Sequence, residues 1–109
     1  MRPSIAEREA SLLLQKTVLS SQESYQLSTY AIFLLLVGKT LQKEESGNTE
    51  NSEGDKVVRA ELDPYRTSGS KTILKLANTC ENVARGEIVN RESRSEAINV
   101  LRYIDQHIT

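Results

Sequence analysis

The stretch STYAIFLLLVGK, residues 28–39, decides the fold class because it is the most apolar part of the chain. Its centre, residues 31–37, is seven consecutive apolar residues with no charge. A helix that crosses a membrane needs about 20 mostly apolar residues, so this run is too short to span a bilayer. A strand is possible by length. Leucine dominates the run, however, and large apolar residues recur near helical spacing at Tyr25, Tyr30, Phe33, Val37 and Leu41.

We therefore expect a helix from about Ser21 to Lys43 that is apolar nearly all round and buried on several sides. In a chain of 109 residues, such a helix is either the central helix of a bundle or one that also faces a partner. The central position is the favoured interpretation. For the second alternative, the predicted partner interface comprises Tyr30, Phe33, Leu34 and Val37.

Helix-start signals and apolar periodicity place the other elements. The capping-box spacing occurs three times, at Ser4–Glu7, Ser20–Glu23 and Ser93–Glu96. The first box precedes a helix that is either separate from the helix beginning near Ser21 or continuous with it. The third precedes a helix with one apolar face, formed by Ala97, Val100, Leu101, Ile104 and Ile108.

Two more helices lie between these. Val57, Val58 and Leu62 suit a short helix that stops before Pro64. A longer one is capped by Ser68 or Ser70 and ends at Gly86. Its apolar face comprises Ile73, Leu76, Ala77, Cys80, Val83 and Ala84.

An acidic stretch divides the chain. Residues 44–55 are rich in Gly, Asn, Ser and acidic side chains, which predicts a mobile loop with hydrated carboxylates. A calcium loop is excluded, because Thr49 and Ala60 would occupy positions that require carboxylates. The prediction is an all-α fold, a compact antiparallel bundle of four to five helices in a single helical domain over residues 1–109.

The titratable residues argue against an enzyme. The single histidine, His107, is two residues from the end of the sequence, and the single cysteine, Cys80, lies on an apolar helix face where cysteine acts as core filler. One Cys and one His cannot form a zinc site within one chain. We expect no enzyme activity, cofactor, metal or membrane partner. The N-terminal residues lack a secretion signal, and together with the lone cysteine this predicts a cytoplasmic location.

The stretch YRTSGSKTILK, residues 65–75, carries three cations and no acid. It is not a phosphate-binding loop of the nucleotidase type, because Ser70 precedes Lys71 where glycine is required. A helix starts here, however, and the free N–H groups of a helix start attract anions. The predicted nucleic-acid-backbone contacts of this stretch are Arg66, Ser68, Ser70, Lys71 and Lys75. The alternative is an ordinary capped helix start with solvated cations.

A second basic group, Arg85, Arg91 and Arg94, surrounds the turn after Gly86. We predict further backbone contacts there, at the end of the helical pair opposite Arg66. The alternative is that these arginines pair with the glutamates interleaved among them, which contributes little at a surface.

In its size, its all-helical pattern and its lack of a catalytic set, the chain resembles the small helical subunit of CRISPR surveillance (Cascade-type) complexes. Those subunits stack along the complex and hold nucleic-acid strands through scattered basic residues. The resemblance covers the whole chain and implies a non-enzymatic role in antiviral defence, with protein subunits and nucleic-acid backbone as partners. Arg66, Ser70, Lys71, Lys75 and the second basic group would be the contacts.

Two alternatives stay open. One is a protein–protein interaction module, an obligate oligomer that self-associates without binding nucleic acid. The other is a small helix-turn-helix regulator, although the turn between Gly86 and Ser93 is longer than the usual three or four residues.

Overall fold

The structure, a computed structural model, describes residues 5–47 and 62–108. Within them are four α-helices: Glu7–Gln15 (α1), Ser21–Glu45 (α2), Ser70–Ala84 (α3) and Arg91–Ile108 (α4). Residues 62–66 are also helical and lead into α3. These described residues include no strand. The predicted all-α bundle is confirmed, and α1 and α2 are separate helices.

The α2–α3 pair forms the centre of the bundle. The helices run antiparallel, because the last residue of α2, Glu45, is hydrogen-bonded to the first residue of α3, Ser70. Gly38 allows close approach, since a Cβ there would lie 2.7 Å from the Leu74 side chain. The completely buried side chains along this contact include Tyr30, Leu34, Ile73 and Cys80.

The α1–α4 pair completes the core. Helix α1 buries Ala10, Leu13 and Leu14, and helix α4 buries Ala97, Leu101 and Ile104. Their side chains join those of α2 and α3 in one apolar cluster. Where α1 ends and α4 begins, the Arg94 guanidinium donates a hydrogen bond to the carbonyl oxygen of Lys16, at 3.2 Å. The prediction of a buried Cys80 is confirmed.

Of the two predicted capping boxes that lie wholly within the described residues, only the one that starts α2 is present. The Ser20 hydroxyl accepts from the N–H of Glu23, and the Glu23 carboxylate accepts from the N–H of Ser20. Helix α1 begins after Ala6 without a side-chain cap, so the expectation for Glu7 is wrong. Ser4 lies outside the described residues.

The start of α4 is also corrected. The Asn90 side-chain oxygen accepts a hydrogen bond from the N–H of Ser93 at 2.7 Å, so Asn90 is the capping residue and Ser93 lies in the first turn. Asparagine fills the same role as serine at this position. The Glu96 side chain instead pairs with Lys75 of α3 at 2.9 Å.

The end of α3 agrees with the prediction. Gly86 has a positive φ of 77°. The N–H of Gly86 bonds the carbonyl of Val83, and the N–H of Glu87 bonds the carbonyl of Asn82. This is the Schellman arrangement, which favours glycine because other residues are strained at positive φ.

The boundaries around the acidic stretch differ from expectation. Helix α2 continues to Glu45, so Glu44 and Glu45 are helical rather than part of a mobile loop. Residues 48–61, with most of the predicted loop and the residues Val57 and Val58, lie outside the described part. The expected stop before Pro64 is wrong, because Pro64 lies inside the helical residues 62–66. Proline has a helical φ and is tolerated in the first turn of a helix, where its missing N–H costs no hydrogen bond.

Candidate docking surface on α2

One face of α2 presents large apolar side chains to solvent. Tyr25 is 70% exposed, Ile32 56%, Leu36 44% and Leu35 38%. At 100° per residue Tyr25, Ile32 and Leu36 lie within about 20° of the side of the helix opposite Leu34, which is completely buried, and Leu35 lies at the edge of that side. We call Tyr25, Ile32, Leu35 and Leu36 the outer face of α2. Because contiguous exposed apolar side chains mark interaction sites on soluble proteins, this face is a candidate docking surface.

The charged side chains of α2 that lie in line with the outer face are both lysines. Lys39 and Lys43 are exposed and continue the same line of the helix by one and two turns beyond Leu36. The acids of α2 are engaged elsewhere: Glu23 pairs with Lys16, Glu44 with Arg66, and Glu45 with Ser70. The outer face therefore has a neutral end at Tyr25 and a cationic end at Lys39.

Three of the four residues predicted as a partner interface lie on the core side of this helix. Tyr30, Leu34 and Val37 have no more than 1% of their surface exposed and belong to the core. Phe33 is partly buried, and its ring packs edge-on against Tyr65 with centroids 5.9 Å apart. The helix is apolar nearly all round, and sequence alone did not show which side α3 covers.

Arg66, predicted to contact nucleic acid, is held by acids of its own chain. Its Nε and Nη2 atoms donate to the two carboxylate oxygens of Glu44 at 3.1 and 3.0 Å, which is a bidentate pair. Its Nη1 atom also donates to Asp63. Bidentate arginine–carboxylate pairs are among the stronger charged hydrogen bonds. A phosphate at Arg66 would have to compete with two carboxylates.

The anion position at the start of α3 holds an internal carboxylate. Glu45 accepts from the backbone N–H of Ser70 at 2.9 Å and from its hydroxyl at 2.5 Å. These hydrogen bonds lower the pKa of the Glu45 carboxyl. The predicted attraction of this helix start for an anion is therefore met by Glu45 from α2. Gly69, not Ser68 or Ser70, is the N-cap residue.

The other predicted contacts do not form one site. Lys75 pairs with Glu96 at 2.9 Å, and Arg85 with Glu81 of its own helix at 2.8 Å. The N–H of Ser68 donates to the carbonyl of Tyr65 in the turn before α3. Arg66 precedes and Arg85 follows the 15-residue helix α3, which is about 22 Å long at 1.5 Å per residue. Lys71 and Arg91 are exposed.

Sequence reasoning missed a buried polar cluster. The Glu7 carboxylate is only 4% exposed. One of its oxygens accepts hydrogen bonds from the hydroxyl of Tyr30 at 2.5 Å and from that of Tyr65 at 3.1 Å. Burial, and then the Glu7 charge, raise the pKa of both tyrosines, so their hydroxyls stay protonated as donors. The capping-box spacing indicates a helix-start role for Glu7, so sequence analysis did not identify it as the acceptor for these two hydroxyls.

Cys80 and His107, the single cysteine and the single histidine, differ in their surroundings. Burial raises the pKa of the Cys80 thiol to about 12, so the nucleophilic thiolate is disfavoured. His107 is exposed, and its ring packs on Tyr103 with centroids 4.2 Å apart. In residues 5–47 and 62–108, no group of three or more His, Cys, Asp or Glu side chains is placed to hold a metal ion.

None of the helices that the structure describes is both long and apolar enough to cross a membrane. No protein-family model matches the chain, and no curated protein or solved structure matches it. The resemblance to the small subunit of CRISPR surveillance complexes stays a prediction.

Proposed function

We propose that this protein is a non-enzymatic helical subunit that binds another protein chain through the outer face of α2. The observation that carries the proposal is the row of four large apolar side chains exposed on a helix whose opposite side forms the core. Burying such a row removes apolar surface from water, and this is the main driving force for protein association.

The rigidity of α2 supports this role. Its 25 residues begin at a capping box, pack along α3 and end with two glutamates hydrogen-bonded to residues 66 and 70. The outer face is therefore presented on a fixed helix rather than on a loop. A preorganised surface loses little conformational entropy on binding.

Site-specific photo-crosslinking in cells that naturally express the chain tests this proposal. A photoreactive phenylalanine derivative would replace Ile32 on the outer face. A matched variant would carry it in place of Asn99, which is exposed on α4. We expect a discrete crosslinked species from position 32 and none from position 99. Equal labelling at both positions, or no adduct at position 32, would contradict the proposal.

A role in a nucleoprotein assembly is the second candidate, and it rests on the exposed cations Lys71 and Arg91. Binding of labelled oligonucleotides at low and moderate salt tests it, because contacts to backbone phosphates weaken as salt rises. Loss of binding in Lys71→Ala/Arg91→Ala, with a smaller salt dependence, would support it. Absence of binding at low salt would exclude strand binding by the isolated chain.

Glu45→Ala provides a sharper form of this test. Removal of the carboxylate frees the N–H of Ser70 at the positive end of α3. If this helix start can hold a phosphate, Glu45→Ala should bind oligonucleotides more tightly than the parent protein. Unchanged binding would show that the start of α3 at Ser70 does not hold a phosphate.

A further inference from the structure

We infer that the partner on the outer face of α2 is a second copy of this chain, paired antiparallel about a two-fold axis at Ile32. This inference rests on the proposed function and specifies the partner. It follows from the order of side-chain sizes and charges along the face.

The size pattern is self-complementary in this register. An antiparallel pair centred on residue 32 places residue n opposite residue 64 − n. At the height of Leu35 and Leu36 the second copy presents Thr29 and Ser28. At 100° per residue Leu36 lies on the same lateral side as Thr29 of the second copy, and Leu35 on the same side as its Ser28. Large side chains opposite small ones interdigitate, which close packing requires. The two Ile32 side chains meet at the axis.

The charge pattern selects the antiparallel orientation. In a parallel pair each Lys39 would face Lys39 of the other copy, and the like charges would repel. In the antiparallel pair the two Lys39 residues are separated by 14 helical positions, about 21 Å at 1.5 Å per residue. This exceeds the Debye length of about 8 Å at physiological salt, so the repulsion is screened.

The same register gives Lys39 a favourable neighbour. Residue 39 lies opposite Tyr25 of the second copy, and the face has no carboxylate for it to approach. A lysine ammonium over a tyrosine ring makes a cation–π contact. The neutral end of one outer face thus meets the cationic end of the other, and both copies make the same contact, as an isologous interface requires.

Engineered cysteines test the register on the purified protein. The native Cys80 is completely buried, so Ile32→Cys places one accessible thiol on each chain. We expect Ile32→Cys to give a disulfide-linked dimer under mild oxidation, because residue 32 meets itself at the axis. Asn99→Cys is the control and should stay monomeric. Equal yields from the two variants would overturn the proposed axis.

Two off-axis positions make the test directional. Tyr25→Cys and Lys39→Cys should each crosslink poorly alone and efficiently when the two proteins are mixed, since residues 25 and 39 are opposite only between antiparallel helices. Crosslinking of Tyr25→Cys with itself as efficiently as in the mixture would indicate a parallel pair and overturn the antiparallel arrangement.

Sedimentation equilibrium of variants without added cysteines tests the charges. Compared with Tyr25→Gln, which lacks the same ring, Tyr25→Glu would bring two carboxylates next to two lysines, so its dimer should form about five-fold more tightly. In a parallel pair the same change brings like charges together and weakens association. Ile32→Asp should abolish the dimer in either arrangement. Equal dissociation constants for Tyr25→Glu and Tyr25→Gln would contradict the pairing of residues 25 and 39.

The oligomeric state and the crosslinking result at position 32 together distinguish a failure of this inference from a failure of the proposed function. If the purified chain is monomeric at millimolar concentration while position 32 still crosslinks to a different protein in cells, the self-pairing is wrong and the docking surface stands. That result would favour an acidic partner helix, whose carboxylates would approach Lys39 and Lys43. A monomer with no adduct at position 32 would overturn both.

Discussion

Glu7 connects three parts of the bundle through one carboxylate. It lies on α1, accepts from Tyr30 on α2 and accepts from Tyr65 in the helical residues before α3. Each tyrosine hydroxyl is a strong hydrogen-bonding group removed from water, and Glu7 is its partner. A polar cluster of this kind penalises arrangements in which a donor loses its acceptor.

We expect Glu7→Ala to lower the free energy of unfolding by about 3 kcal/mol, because two buried hydroxyls lose their acceptor at roughly 1–3 kcal/mol each. Urea denaturation followed by circular dichroism measures this. Glu9→Ala, on the exposed side of the same helix, is the control and should change stability by under about 0.5 kcal/mol. In a Tyr30→Phe/Tyr65→Phe background, Glu7→Ala should lower the free energy of unfolding by less. An undiminished cost would argue against the hydrogen bonds as its source.

Glu23 makes stability depend on pH. The Lys16 ammonium, followed by the backbone N–H of Ser20, lowers the pKa of the Glu23 carboxyl from 4.5 to about 2. A carboxylate whose pKa is lower in the folded than in the unfolded state stabilises the fold at pH values above its unfolded-state pKa. That stabilisation is lost as the pH falls from about 4.5 to about 2.

The measurement is the free energy of unfolding of Glu23→Gln and of the parent protein as a function of pH. We expect the variant to be less stable at neutral pH and the difference to shrink through this acidic window. A difference that stays constant between pH 5 and pH 2 would exclude the ionised carboxylate as its cause.

Asn90 decides where α4 begins. Since its side chain satisfies the N–H of Ser93, Asn90→Ala should destabilise the protein by about 1 kcal/mol. Ser93→Ala should be nearly neutral, because Ser93 caps nothing. Thermal or urea unfolding compares the stability losses of the two variants. A larger loss in Ser93→Ala than in Asn90→Ala would show that Ser93 is the capping residue.

The Gly38–Leu74 approach sets the spacing of α2 and α3. In Gly38→Ala the new methyl group would overlap the Leu74 side chain at 2.7 Å. Overpacking costs about 1–3 kcal/mol, which exceeds the gain of roughly 1 kcal/mol in helix propensity. We therefore expect net destabilisation in denaturant unfolding.

A double-mutant cycle locates the effect of this glycine. In a Leu74→Ala background the obstructing side chain is gone, so Gly38→Ala should become neutral or stabilising. A cost that is the same in both backgrounds would place its origin outside this contact.

For the whole molecule, truncation of a side chain to alanine should lower the free energy of unfolding much more on the core side of α2 than on its outer face. Leu34→Ala removes a completely buried side chain and should cost about 3 kcal/mol. Ile32→Ala, two residues away on the outer face, should change the stability of the dilute protein by less than about 1 kcal/mol. Parallel unfolding curves at low concentration compare them, and similar losses would mean that the outer face is covered within the chain.

How far the fold could be predicted differs from helix to helix. The stripe Ile73, Leu76, Cys80 and Val83 gave α3 and its buried face, because apolar residues at three and four residue steps admit one orientation. Ser20 and Glu23 placed the start of α2 for the same local reason. The predicted end of α2 was two residues early, because the contacts of Glu44 with Arg66 and of Glu45 with Ser70 are not visible in the local sequence. The short helix around residues 62–66 does not stop before Pro64, because the fixed φ of proline is compatible with a helix.

The candidate site was less predictable than the fold. Arg66 and Ser70 have the residue types of an anion site, and only the arrival of Glu44 and Glu45 at the end of α2 shows that their hydrogen bonds are made internally. Glu7 is 23 residues from Tyr30 and 58 from Tyr65 in sequence, and no local pattern links them.

The sequence by itself determined that the chain is all-α, because its apolar periodicity and turn residues act over a few neighbouring positions. Only the tertiary structure decided which side of α2 is core and which is exposed. A helix that is apolar nearly all round has no preferred side of its own. Its packing partner α3, which approaches at Gly38, buries Leu34 and leaves Ile32, Leu35 and Leu36 in solvent.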